Sequence, residues 1–229
     1  MIQAVAYDMD GTLYPLWPMR YYMVRELVWA FLHAPGKTWG DLRMLRTYRQ
    51  VLEHLRGAEA ADPDAEDPQL YAVAEKLAIP PEEVRATADE WVTKRPLRFL
   101  RRIARPRLLQ IIRLLHRADV RQGVYSDYRP QTKLQAMGIA GCIQAVVWSR
   151  QPGVGEFKPA PAGFLQVARL LGVKPAEVLY VGDRTGVDDV GAWAAGMQFL
   201  HVRQFTLKRV RAMLGLTTPP EPGAVELRG

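Results

Sequence analysis

IQAVAYDMDGTLY, residues 2–14, is an apolar run that ends abruptly in two acids, Asp8 and Asp10. In an extended chain, residues i and i+2 project to the same side. Two carboxylates about 4 Å apart repel by about 4 kcal/mol at an effective dielectric near 20. A site that keeps both ionised needs a cation, a shared proton, or an acid role for one of them. Asp-Gly is also a common hairpin pair, so this stretch by itself leaves open a plain turn between two strands.

The surrounding chain sets the context. Five short apolar or β-branched runs read as strands: 2–8, 120–126, 144–149, 178–183 and 198–202. Helical patterns at about 107–117, 129–137, 160–171 and 188–195 alternate with the later four. That alternation predicts an α/β protein with a Rossmann-like, doubly wound parallel sheet. Residues 20–92 carry three or four helical patterns and no strand. One, at about 20–33, has a broad apolar face of Met23, Val24, Leu27, Val28 and Phe31, expected to pack inside the helices or against a second copy. Another, at about 38–56, spaces Leu42, Leu45, Leu52 and Leu55 helically, with Arg43, Arg46 and Arg49 on other faces. A third, 81–92, starts with Pro81, Glu82 and Glu83, a sound helix N-terminus. These predict a helical insertion, residues 16–95, in a core of residues 1–15 and 96–215, with a loose proline-rich tail over 216–229.

Composition excludes several classes. Of 229 residues, 48% are hydrophobic and 24% charged, as in ordinary globular proteins. The apolar run LVWAFL, residues 27–32, is far too short to span a bilayer, and the N-terminus lacks the order of a secretory signal. The one cysteine, Cys142, excludes an internal disulfide and reads as a small buried hydrophobe, so a cytoplasmic protein is expected. The formal charge of +7 is uneven: residues 94–121 hold ten Lys or Arg and one acid, Asp119, whereas 57–69 is acidic and reads as a solvated loop. No zinc-finger spacing, RNP-like motif or basic zipper accompanies the basic stretch, so nucleic acid is not the expected partner.

In open parallel sheets, ligands bind beyond the carboxyl ends of the strands. Four expected strands lead to polar groups there: Asp8 and Asp10, then Ser126, then Lys158 in GEFKPAP, then Asp183 and Asp188 in GDRTGVDD. In order and spacing these resemble the four motifs of the haloacid dehalogenase superfamily, over essentially residues 1–202, with the helical insertion where one class of that family carries its cap. Each motif alone is weak. The four together, each at a strand end, set the hairpin reading aside.

The resemblance implies a chemistry. Asp8 would attack phosphorus to form an aspartyl-phosphate, while Asp10 would protonate the leaving alkoxide and then activate water. Mg²⁺ would be held by Asp8, the backbone carbonyl of Asp10 and Asp183, with Asp188 in support. The family's register selects Asp188 over Asp189. Ser126, Lys158 and the backbone amides around Met9 and Asp10 would hold the phosphoryl group. Thr12 fits the phosphatase pattern better than that of the sugar phosphomutases. True dehalogenases of the superfamily lack the second aspartate, so Asp10 favours phosphoryl transfer. The implied protein is a Mg²⁺-dependent phosphatase of a small phosphorylated metabolite, monomeric or homodimeric. Its rivals are a phosphomutase or dehalogenase of the same fold, and a non-catalytic binding protein using residues 94–121. Asp127 stands where the family often has asparagine or glycine, and Arg129 is its nearest basic neighbour in sequence. Arg184 is expected to reach solvent. Trp17, Arg20, Tyr21 and Tyr22 follow the first motif closely enough to line an entrance or pack in a core.

Overall fold

The computed structural model describes residues 1–55 and 68–216. After β1 (Ala4–Tyr7) the chain passes through α1 (Leu16–His33), α2 (Pro35–Leu55), α3 (Pro68–Leu77) and α4 (Pro81–Ala88). A wider π-helical turn (Asp89–Lys94) then leads to α5 (Arg95–Ile103) and α6 (Pro106–Arg117). The remaining elements alternate: β2 (Arg121–Ser126), α7 (Gln131–Ala136), β3 (Ala145–Trp148), α8 (Ala162–Leu171), β4 (Val178–Gly182), α9 (Asp188–Ala194), β5 (Gln198–His201) and α10 (Leu207–Leu214).

All strands pair in parallel, in the order β3-β2-β1-β4-β5. Side chains of β1 alternate between two layers. Val5 and Tyr7 join Ile112 and Leu115 of α6, Leu134 of α7 and Val210 of α10. Ala4 and Ala6 face Phe164 and Val167 of α8 and Ala192 of α9. The sheet is therefore covered on both faces, which is why its strands read as nearly continuous apolar runs. The chain steps outward from β1 to β3 and returns on the other side of β1 as β4. That reversal opens a crevice at the carboxyl end of β1, where Asp8 follows directly.

The inserted helices carry a small core of their own: Met44, Tyr48 and Val51 of α2, Leu70, Val73 and Ala74 of α3, and Val84 of α4. Tyr128, from the loop after β2, packs against it. Helix α1 starts four residues ahead of the sequence expectation, because Pro18 falls in its first turn, where a missing N–H is harmless. Its expected apolar face does not turn inward. Val24, Val28 and Phe31 are exposed, while Met19 and Ala30 are buried and Met23 packs partly on the core. The reason is that α1 has neighbours, α2 and α5, on only part of its circumference. The expected stop at residue 92 is also displaced. The helix widens over Asp89–Lys94 and continues past Pro96 to Ile103. Pro96 has no N–H for the carbonyl four residues back, and a π turn is where helices absorb such a misfit.

Most of the expected acidic loop, and the tail from residue 217, lie outside the described residues. No described helix is long and apolar enough to cross a membrane. Part of the basic stretch is bonded internally: Arg95 pairs with Glu26 and Glu90, Arg113 donates to the Met137 and Gly138 carbonyls, and Arg121 to those of Leu171 and Gly172. Cys142 is half-buried at the edge of the main core.

Close packing fixes one glycine beneath the site. A Cβ on Gly163 would lie 2.1 Å from Cζ of Tyr125, a ring that is itself fully buried. Gly163→Ala is therefore expected to destabilise the protein by about 1–3 kcal/mol in urea unfolding. Wild-type stability would mean that the Tyr125 ring has room to move.

Candidate active site

The strand ends at Tyr7, so Asp8 and Asp10 are not adjacent rungs of an extended chain. The chain turns back on itself: Leu13 N–H donates to the Met9 carbonyl (3.0 Å) and Gly11 N–H to that of Tyr14 (3.1 Å). Arg105, capping α6, braces this loop through Nε to Thr12 O (3.1 Å) and Nη2 to Gly11 O (3.2 Å). Gly11 has φ +105°, and a Cβ there would stand 2.2 Å from Oδ2 of Asp183. Only glycine suits both the backbone angle and that carboxylate. The Met9 side chain is fully buried, so what it offers a ligand is backbone.

Asp8 is 3% exposed, and Lys158 is wholly buried beside it. Lys158 Nζ donates to Asp8 Oδ1 (2.5 Å), to Tyr180 Oη (2.6 Å) and to Asp188 Oδ1 (3.0 Å). Burial works against its charge, but Asp188 and Asp8 outweigh burial and hold its pKa well above the ordinary lysine value. Burial pushes Asp8 up to about 7, against the opposing pull of Lys158. Thr12 Oγ1 lies 3.1 Å from Asp8 Oδ2 and 3.4 Å from Asp183 Oδ1, so its hydrogen can serve either acid.

Asp10 belongs to a different cation. Lys133 Nζ donates to its Oδ1 at 2.6 Å, and the Tyr14 hydroxyl donates to the same oxygen. Ser126 ends β2, buried, with Oγ accepting from Tyr128 N–H at 3.3 Å. Asp127 turns away from its sequence neighbour Arg129. It pairs instead with Arg184 Nη2 (3.2 Å) and accepts from Ser149 Oγ (3.3 Å). Arg184 is consequently not a solvent group, and Arg129 lies over the Trp148 ring. Of the two acids opening α9, Asp188 turns into the site, whereas Asp189 accepts from the Gly186 and Val190 amides. The loop after β1, the loop after β3, and the β4–α9 turn thus bring Asp8, Lys158, Asp183 and Asp188 together. Asp10 sits beside them on Lys133.

Asp8, Asp183 and Asp188 each bring a carboxylate oxygen within 4.8 Å of the others. Hard oxygen donors this close, two of them buried and Asp183 raised in pKa by burial and by Asp188, fit a hard divalent cation. Lys133, Tyr14, Tyr180 and Ser149 were not singled out by the sequence. A lysine within a helix reads as a solvated face, and a tyrosine within a strand as core.

The sequence matches a known family. A model of the haloacid dehalogenase-like hydrolases matches residues 2–196. The chain belongs to that family. A relative 31% identical over 207 residues, spanning 89% of this chain and 85% of its own, is the glyceraldehyde 3-phosphate phosphatase of Methanopyrus kandleri. Among solved structures, a 2-haloacid dehalogenase from Pseudomonas syringae matches with a TM-score of 0.64 and 19% identity, over 94% of this chain and 99% of that one. A HAD phosphatase from Thermococcus onnurineus matches at 0.60 and 20%, over 93% and 98%. These two likenesses are of fold.

In this haloacid dehalogenase-like hydrolase, Lys158→Met would leave Asp8 and Asp188 buried without their shared cation. Breaking a buried ion pair costs about 3–5 kcal/mol, so the variant is expected to unfold at clearly lower urea than wild type. Unchanged stability would mean that both acids are neutral in the folded protein.

Proposed function

We propose that this hydrolase is a Mg²⁺-dependent phosphatase acting on a small phosphorylated metabolite, with helices of residues 16–95 capping the core. The observation that carries the reading is a buried Asp8 at the carboxyl end of β1, bonded to Lys158, while Asp10 is held apart on Lys133 and Tyr14. Two carboxylates in two environments are suited to two roles. The phosphatase relative from Methanopyrus kandleri supports the same reading.

In this reading, Asp8 attacks phosphorus and the ester oxygen departs, taking a proton from Asp10. Asp10 Oδ1 is the anchored oxygen, so Oδ2 handles the proton. Water then attacks the aspartyl-phosphate, giving its proton back to Asp10, and the bond from phosphorus to Asp8 breaks to release phosphate. Ser126 Oγ and the amides near Met9 and Asp10 donate to phosphoryl oxygens, and Lys158 offsets their charge. Asp8, Asp183, Asp188 and the Asp10 carbonyl would hold Mg²⁺, which would supply the further positive charge a phosphate needs beside three carboxylates. A dehalogenase would have no use for Asp10, because halide leaves without a proton.

Hydrolysis of an aryl phosphate is expected to need both Mg²⁺ and Asp8, and to vanish with chelator or in Asp8→Asn. Activity surviving either change in a folded sample refutes the mechanism. Asp10→Asn is expected to lose about 10²–10⁴-fold on an alkyl phosphate and less on an aryl phosphate, whose better leaving group needs less acid assistance. An equal loss on both would take leaving-group protonation away from Asp10.

A further inference from the structure

Helix α1 is apolar on two opposite sides. One side packs: Met19 and Ala30 are buried, and Met23 rests on the main core. The other is open among the described residues. Trp17, Tyr21, Val24, Val28 and Phe31 recur in steps of four and three, so they form one stripe along the helix, with Leu32 beside its end. All six are exposed, from 47% at Phe31 to 76% at Trp17. Soluble monomers rarely show contiguous apolar patches larger than a few hundred Å², and three aromatic with three aliphatic side chains reach that size. A helix that is apolar all round is ordinarily covered all round, so the outer stripe calls for a partner.

Charge decides which kind. Arg20 flanks the stripe on one edge and Arg25 on the other, both exposed. Beyond Arg25, a cleft of about 260 Å³ between α1 and α5 is lined by Tyr22, Arg25, Trp29, Phe99 and Arg102. Tyr22 stacks on Phe99 at 4.5 Å to form an aromatic wall. The one acid of the cleft, Glu26, is taken by Arg95 at 3.1 Å and Arg98 at 3.6 Å. Arg20, Arg25 and Arg102 make no ion pair among the described residues. Two copies packed along the stripe would set Arg25 against Arg25 if antiparallel and Arg20 against Arg25 if parallel. The only acid of α1, Glu26, is already engaged, so nothing on this face receives those charges.

We propose that α1 is a peripheral membrane-docking helix: its outer stripe enters the headgroup layer of an anionic bilayer, and Arg25 and Arg102 take a lipid phosphate in the adjoining cleft. The side-chain types fit that depth. Tryptophan and tyrosine favour the headgroup level, where an apolar ring and a polar tip are both accommodated. Arginine stems lie along apolar surface while the guanidinium reaches phosphate oxygens with paired N–H groups. A helix with an apolar face and basic edges is suited to lying in such a surface. This inference does not depend on the phosphatase reading.

Sedimentation of the full chain with vesicles of phosphatidylcholine and phosphatidylglycerol in equal parts tests it. The protein is expected to pellet with them, less so at high salt, and to stay in solution with pure phosphatidylcholine. Arg25→Gln with Arg102→Gln is expected to weaken binding about 20-fold, and Val24→Ser with Val28→Ser about tenfold or more. All four positions are exposed, and circular dichroism and urea unfolding check that each variant is folded. No binding to the mixed vesicles overturns the proposal and leaves the stripe to a protein partner. Equal binding to both kinds of vesicle overturns it as well. So does binding that the arginine variant leaves unchanged, because the net charge of +7 then acts through another face. Binding lost with the arginines but untouched by the serines is adsorption alone and overturns insertion of the stripe. A dimer in light scattering that Val24→Asp dissociates assigns the stripe to a second copy and overturns the lipid assignment.

Discussion

A single buried ammonium ties together acids that follow two neighbouring strands of the sheet, from a loop that follows a third. Lys158, after β3, reaches Asp8 after β1 and Asp188 after β4, and its remaining hydrogen goes to Tyr180 on β4 itself. The rings of Tyr125, Phe164 and Tyr180 surround it, with centres 4.9, 5.9 and 5.2 Å from Nζ. An isolated charge in such a place would be prohibitive. Two carboxylates and a box of aromatic faces make it tolerable. Because all three N–H directions are taken, a phosphate that comes to Lys158 must displace one of these partners. Binding there would exchange one oxygen ligand for another.

The acids of the site are kept compatible by partition. Lys158 serves Asp8 and Asp188, Lys133 serves Asp10, and Arg184 serves Asp127. Asp8 and Asp188 share one cation while Asp10 and Asp127 have others, so one kind of side chain is placed in distinct chemical settings. Thr12 and Gly11 then bring Asp183 against the first loop, the former by its hydroxyl and the latter by having no side chain.

The sheet was legible because parallel strands covered on both faces leave unbroken apolar runs, and a run of that kind ends where its polar groups begin. The clustering of Asp8, Lys158 and Asp183 was legible for the same reason, since strand ends mark the ligand rim of an open sheet. Lys133 was not. It reaches Asp10 from 123 positions away, a pairing that only the folded chain creates. Arg129 was the nearest basic neighbour of Asp127 in sequence, but nearness in sequence is not nearness in space, and the partner Arg184 is 57 residues on. The face of α1 went astray on a different ground: periodicity reports which residues share a side of a helix, not whether anything lies against that side.

The helix that runs from Pro81 through the π turn to Ile103 is continuous, and a continuous helix behaves as a stiff rod. A rigid tilt of the inserted helices relative to the sheet would therefore hinge at their ends in the chain, near Pro15 and near Ala104. The second hinge adjoins Arg105, whose backbone N–H donates to Leu13 O and whose side chain grips the carbonyls of Thr12 and Gly11. The first follows Tyr14, which holds Asp10. Both pivots are thus bolted to the loop that carries the two aspartates. That loop anchors both crossings, so a tilt of the helices would be felt first where the acids sit.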